Sequence, residues 1–188
     1  SSAASDVYKR QHKERISKLE ELFKFKKLNK LFGTVYITSQ MYLSNWRQKD
    51  FGDFQKKFSK VFSSFEVKKL SKIDTKKENI KIGFLSPDFC KSHSISYFVK
   101  NLIKDLKQTK FKSYGLSLLR VEEHDETTQI FKDLFDDWID LGNKSDQDIV
   151  NIIQNSNIDI LVDLAGLWSS NRISIFNTRI FIYISRFP

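Results

Sequence analysis

The chain has 188 residues, 40% of them hydrophobic, with 17 Phe, a single Cys and a formal net charge of +9. That length and composition give about one domain, or one with an appendage, and enough apolar matter for a real core. The lone Cys90 excludes an internal disulfide framework and fits a reducing compartment. No apolar run reaches the roughly 18 residues a membrane helix needs, so a cytoplasmic protein with no membrane partner is expected.

Taken in chain order, the first eleven residues, SSAASDVYKRQ, show no apolar period. Asp6 to Gln11 spell what the end of a transposase-type sequencing adapter encodes in frame. Residues 1–11 are therefore expected to be an artefact and are set apart from the fold. From His12 to Phe32, apolar residues recur at three and four: Ile16, Leu19, Leu22, Phe23, Leu28, Leu31 and Phe32. This predicts a helix with lysines opposite and a stop at Gly33. The stretch TVYITSQMYLSNW fits strand or helix. Phe51, Phe54, Phe58, Val61 and Phe62 predict another helix, and SKIDTKKEN reads as a polar linker. Residues 1–79 hold 19 Lys/Arg against 9 Asp/Glu, whereas residues 80–188 hold 13 against 14. The basic character thus belongs to the first part, and residues 12–79 read as a basic helical linker region.

The pattern then changes. IKIGFLS (80–86) predicts a buried strand stopped by Pro87, and SISYFVKNLIKDLK (94–107) a helix burying Ile95, Phe98, Val99, Leu102, Ile103 and Leu106. FKSYGLSLL (111–119) predicts a second strand and ETTQIFKDLFDDW (126–138) a helix followed by the brief WIDL. SDQDIVNIIQNS (145–156) predicts a helix with Ser145 as N-cap and Asp146 and Asp148 in its first turn. IDILVDLAG (158–166) is the strongest strand signal. Strands alternating with helices through short connections predict an α/β, Rossmann-like parallel sheet covered on both faces.

In such a sheet ligands sit beyond the carboxyl ends of the strands, which singles out two loops. The first, LSPDFCKSHS (85–94), carries Ser86, Asp88, Cys90 and His93. The second, DLAGLWSSNR (163–172), carries Asp163, Gly166, Asn171 and Arg172. Neither a G-x-G-x-x-G fingerprint nor a Walker loop is present. His93, at a loop–helix junction, is a candidate general base or partner of a substrate hydroxyl; otherwise it caps its own helix. Asp163 either contacts ligand or satisfies loop amides. Arg172 either pairs within the protein or binds substrate. No Cys/His spacing for a metal surrounds Cys90. His124, in EEHDE, reads as solvated loop, and Asp133, Asp136, Asp137 and Asp140 as a solvated helix face.

Five short pieces, in this order and at these separations, carry a resemblance: IKIGFLSPDFCKSHSISYFVKNLI, DDWIDL, SDQDIVNIIQNSNIDILVDLAG, the NR of Asn171-Arg172, and IFNTR. They resemble the first half of the catalytic region of O-linked N-acetylglucosamine transferases, of the bacterial type that follows tetratricopeptide repeats. The resemblance covers residues 80–179. It implies the N-terminal lobe of a GT-B glycosyltransferase that takes N-acetylglucosamine from UDP-N-acetylglucosamine, with no metal or other cofactor, to Ser or Thr of an acceptor protein. By position, His93 is similar to the family histidine near acceptor and sugar. Ser86, Asp88, Asp163, Gly166, Asn171 and Arg172 fall on matching substrate-binding positions. The UDP-sugar would be held mainly by a second, C-terminal lobe, and a chain without it is expected to be inactive.

Two departures stand out. The family often has G-H-T-x-x-N-R where this chain has Gly166-Leu167-Trp168-Ser169-Ser170-Asn171-Arg172. After FNTR the chain ends IFIYISRFP, so residues 180–188 are expected to be an aberrant or truncated end. The alternatives are another GT-B sugar enzyme, such as a UDP-sugar epimerase, and a basic nucleic-acid-binding protein. Against nucleic acid, the phenylalanines of the basic part fall on its apolar stripes, not among its surface lysines.

Overall fold

A computed structural model of the chain describes residues 2–24, 35–36, 38–40, 77–90, 95–166, 172–176 and 182–185. Two compact units form: Ser1–Ser64 with Leu167–Ser169, and Phe65–Gly166 with Ser170–Pro188. In the first unit, helix α1 (Ser2–Lys24) starts ten residues before the predicted helix and runs through the stretch set apart. His12, Ile16 and Leu19, one helical turn apart, are its buried stripe. Leu22, expected on that face, is 46% exposed. At 100° per residue it lies about 90° from the centre of that stripe. The Tyr36 hydroxyl donates to Glu20 Oε1 at 2.9 Å. The side chains of Phe23, Leu28, Leu31 and Phe32, and the helix expected over 51–65, lie outside the described residues.

The second unit is built on five strands: β1 (Lys81–Ser86), β2 (Lys112–Ser117), β3 (Asp137–Asp140), β4 (Ile160–Asp163) and β5 (Ile182–Ser185). Their order is β3-β2-β1-β4-β5, and all four pairings are parallel. β5 falls in the stretch 180–188, where no strand was expected. Between the strands run α2 (Ile95–Leu106), α3 (Glu126–Leu134), α4 (Asp146–Asn155) and α5 (Ile173–Phe176), with a 3-10 turn at Val121–Glu123.

Because side chains alternate along a strand, apolar runs such as KIGFL feed two cores at once. Phe84 faces Val99 and Ile103 of α2 and Phe131 of α3, while Leu85, Leu116 and Leu161 face Ile149, Val150 and Ile153 of α4 and Ile175 of α5. The chain winds outward through β1, α2, β2, α3 and β3, then returns by α4 to place β4 on the other side of β1. Parallel crossovers keep one hand, so reversing the direction of winding sends α4 to the opposite face. The expected sheet, covered on both faces, is the one observed.

Local differences have local causes. α3 ends at Leu134 and not at Trp138, because Phe135 turns extended (φ −68°, ψ 153°). The Asp136 carboxylate then ties the start of β3 to β2, accepting from Ser113 N–H at 2.8 Å and Ser113 Oγ at 3.0 Å. Gly115 makes room for that arrangement, since a Cβ there would lie 2.7 Å from Phe135 Cδ2 and 2.8 Å from Trp138 Cζ3. On α2, Val99 and Ile103 are buried, but Phe98 and Leu102, expected beside them, are 65% and 46% exposed. α4 closes at Asn157, whose φ of 53° is the left-handed conformation that ends many helices.

Candidate functional site

The reversal of winding makes a topological switch point between β1 and β4. Beyond β1 the chain departs towards α2, and beyond β4 towards α5, so the carboxyl ends of these adjacent strands part to opposite faces. Leu85 is in register with Asp163, and Leu164 N–H donates to Leu85 O at 3.0 Å. Ser86 and Asp163, 77 positions apart in sequence, therefore end neighbouring strands at this switch point.

Ser86 is fully buried. Its Oγ accepts from Asp88 N–H at 3.0 Å and its carbonyl from Leu118 N–H at 2.8 Å. It shapes the turn at Pro87 and sets the direction of half-buried Asp88. Phe89 anchors the loop from beneath, its ring 5.0 Å from Phe131, 5.5 Å from Phe135 and 5.3 Å from Trp138. Its carbonyl accepts from Thr128 Oγ1 at 2.8 Å.

Asp163 ends β4 with only 3% of its surface exposed. Its Oδ1 accepts from Ala165 N–H at 2.9 Å and Gly166 N–H at 3.3 Å. Burial pushes its carboxyl up to about 6, against the pull of these two amides. The alternative of satisfying loop amides is thus realised. Gly166 turns at φ +60°, and nothing lies within 4 Å of where a Cβ would stand. Backbone hand, not crowding, calls for glycine there.

Arg172 Nη1 donates to Asp146 Oδ1 at 2.5 Å, and Ser174 Oγ donates to Asp146 Oδ2. Helices of a parallel sheet start at the carboxyl edge, so Asp146, in the first turn of α4, brings Arg172 to the same edge as Ser86 and Asp163. The pairing foreseen as one alternative for Arg172 is present. His93 and Asn171 lie outside the described residues.

Two expectations are corrected. His124 is not solvated: its side chain is 13% exposed, with Nε2 3.4 Å from Asp140 Oδ1 and its ring edge-on to Trp138. Nor do the acidic residues form one helix face. Asp137 and Asp140 belong to β3, and Asp140 accepts from Trp138 Nε1 at 2.7 Å, with Lys132 Nζ 3.7 Å away. Among the described residues no group of three His, Cys, Asp or Glu is arranged to hold a metal, and no helix is long and apolar enough to cross a membrane. Sequence reasoning missed Phe89, Thr128 and Asp146 as supports of the site. The only signal was the Phe that follows S-x-D in the first motif.

No family model matches the chain. Over 104 residues it is 32% identical to the probable UDP-N-acetylglucosamine--peptide N-acetylglucosaminyltransferase SPINDLY of Arabidopsis thaliana, a stretch that is 53% of this chain and 11% of that protein. A solved structure of a lysine-to-methionine mutant of the Thermobaculum terrenum O-GlcNAc transferase superposes with a TM-score of 0.77 at 18% identity, covering 95% of this chain and 34% of that one. The chain thus spans about a tenth of the curated relative and a third of the solved one. The likeness to O-linked N-acetylglucosamine transferases read from the motifs is borne out in sequence by the first and in fold by the second.

Proposed function

We propose that residues 80–179 are the N-terminal lobe of a GT-B glycosyltransferase that moves N-acetylglucosamine from UDP-N-acetylglucosamine to Ser or Thr hydroxyls of an acceptor protein. The observation that carries this reading is the 32% identity over 104 residues to a protein named for that reaction. The switch point between β1 and β4 supports it, because the loops carrying Ser86, Asp88, Asp163 and Gly166 leave adjacent strand ends there.

In this reading the acceptor oxygen attacks the sugar's anomeric carbon, the bond to UDP breaks, and the hydroxyl proton passes to His93 as general base. Asp88 and the Asp163–Gly166 turn contact the substrate, with Asn171 as a further binding residue. Arg172, already neutralised by Asp146, fastens the start of α5 to α4 instead of offering a free cation. The charge on the departing diphosphate falls to amides and cations, mainly of a second lobe, with no metal. The chain by itself therefore lacks turnover, and it works in the cytoplasm.

The test is an amide NMR titration of the chain with UDP-N-acetylglucosamine and, separately, a Ser/Thr acceptor peptide. Shifts confined to residues 86–93 and 163–172 are expected. Shifts only at the amino edge of the sheet, or none with either ligand, would refute the site. Mass spectrometry of the mixture should find no glycopeptide, and clear product would refute inactivity of the chain alone.

A further inference from the structure

We propose that Thr128 is a positioning residue of the candidate site: its single hydroxyl proton fixes the loop that carries Ser86 and Asp88. This rests on the reading of that loop as part of the sugar-nucleotide site.

Thr128 is the third residue of α3, fully buried, and remote in sequence from the loop it holds. Its Oγ1 has three neighbours: it accepts from Asp125 N–H at 3.1 Å, and faces Phe89 O at 2.8 Å and Asp125 Oδ1 at 3.2 Å. One proton serves two acceptors, and distance assigns it to Phe89 O. Asp125 Oδ1 is in any case already served by Thr128 N–H at 2.9 Å. A reciprocal cap thus closes the start of α3 on itself and leaves the hydroxyl proton for a carbonyl 39 residues upstream.

That carbonyl matters because its bond ties the loop to a helix distant in sequence. Phe89 is gripped at its ring by Phe131, Phe135 and Trp138, and Trp138 is itself pinned by Asp140. Aromatic packing resists lifting of the loop but leaves rotation of its peptide planes free. The Thr128 bond fixes the plane after Phe89, and the Ser86 Oγ bond to Asp88 N–H fixes the plane two residues before it. Asp88 lies between the two. Removing the hydroxyl also orphans a carbonyl, which costs more than the net worth of the bond.

The test compares amide hydrogen exchange in the full chain for Thr128→Val, Thr128→Ser and Asp125→Ala. Thr128→Val should speed exchange at residues 88–90 by about tenfold beyond any change at Phe84 and Leu116 in the sheet. Thr128→Ser should restore the wild-type rates. Asp125→Ala, which breaks the cap but spares the bond to Phe89, should leave residues 88–90 protected. A uniform loss over loop and sheet, failure of serine to rescue, or equal loosening by Asp125→Ala overturns the proposal. Should the valine variant fail to fold, the other two decide, and a loosened loop in either overturns it. These rates do not depend on ligand, so a fixed loop that binds no UDP-sugar would refute the proposed function and leave the role of Thr128 standing.

Discussion

Asp163 is held at a cost. Its carboxyl is raised from 3.8 to about 6 by burial, so the folded state binds this proton more tightly than the unfolded chain does. The contribution to stability is fully present below about pH 4 and is lost as the pH rises through 6. Near pH 7 the burden is of the order of 3 kcal/mol, from about two units at 1.36 kcal/mol each. Asp163→Asn keeps an oxygen for Ala165 and Gly166 N–H and removes the charge. The variant is expected to gain about 2 kcal/mol over wild type in urea unfolding at pH 7.5 and nothing at pH 4. A variant no more stabilised at pH 7.5 than at pH 4 would show that the carboxylate's own bonds offset its desolvation. The residue was legible as a candidate because it ends the clearest apolar run in the chain. Its burial was not, since that depends on the strands in register on either side of β4.

Elements whose limits are set locally were the readable ones. Ser145 was expected to cap α4, and its Oγ does accept from Asp148 N–H at 3.2 Å. Ser145→Ala is therefore expected to destabilise the chain by about 1 kcal/mol, read as a lower urea midpoint with an unchanged slope. An unaffected midpoint would mean that solvent or another group replaces the cap. The α3–β3 boundary shows the opposite case. Phe131 and Phe135 keep helical spacing, so periodicity carries the helix too far. What ends it is Asp136 binding Ser113, a contact across 23 residues that no window reports. The wide stripe on α2 failed differently. Val99 and Ile103 lie on the line facing the sheet, whereas Phe98 and Leu102 stand one position round the helix and reach solvent.

At the scale of the whole chain, strand–helix alternation announced a parallel sandwich, but not the order β3-β2-β1-β4-β5, which rests on pairings up to 78 residues apart. The site inherits that split: strand ends named Ser86, Asp88, Asp163 and Gly166, whereas their meeting, and the hold of Asp146 on Arg172, depend on winding order. Among the described residues, the members of both hydrophobic cores come from 82–176. The buried side chains of α1, His12, Ile16 and Leu19, belong to neither. A chain lacking residues 1–64 should therefore keep a cooperative urea transition and protected amides along β1 and β4, with a midpoint near that of the intact protein. A broad, non-cooperative transition would show that the sheet depends on the basic segment. Were that so, the carboxyl-edge switch point could not be treated as a feature of residues 80–179 alone.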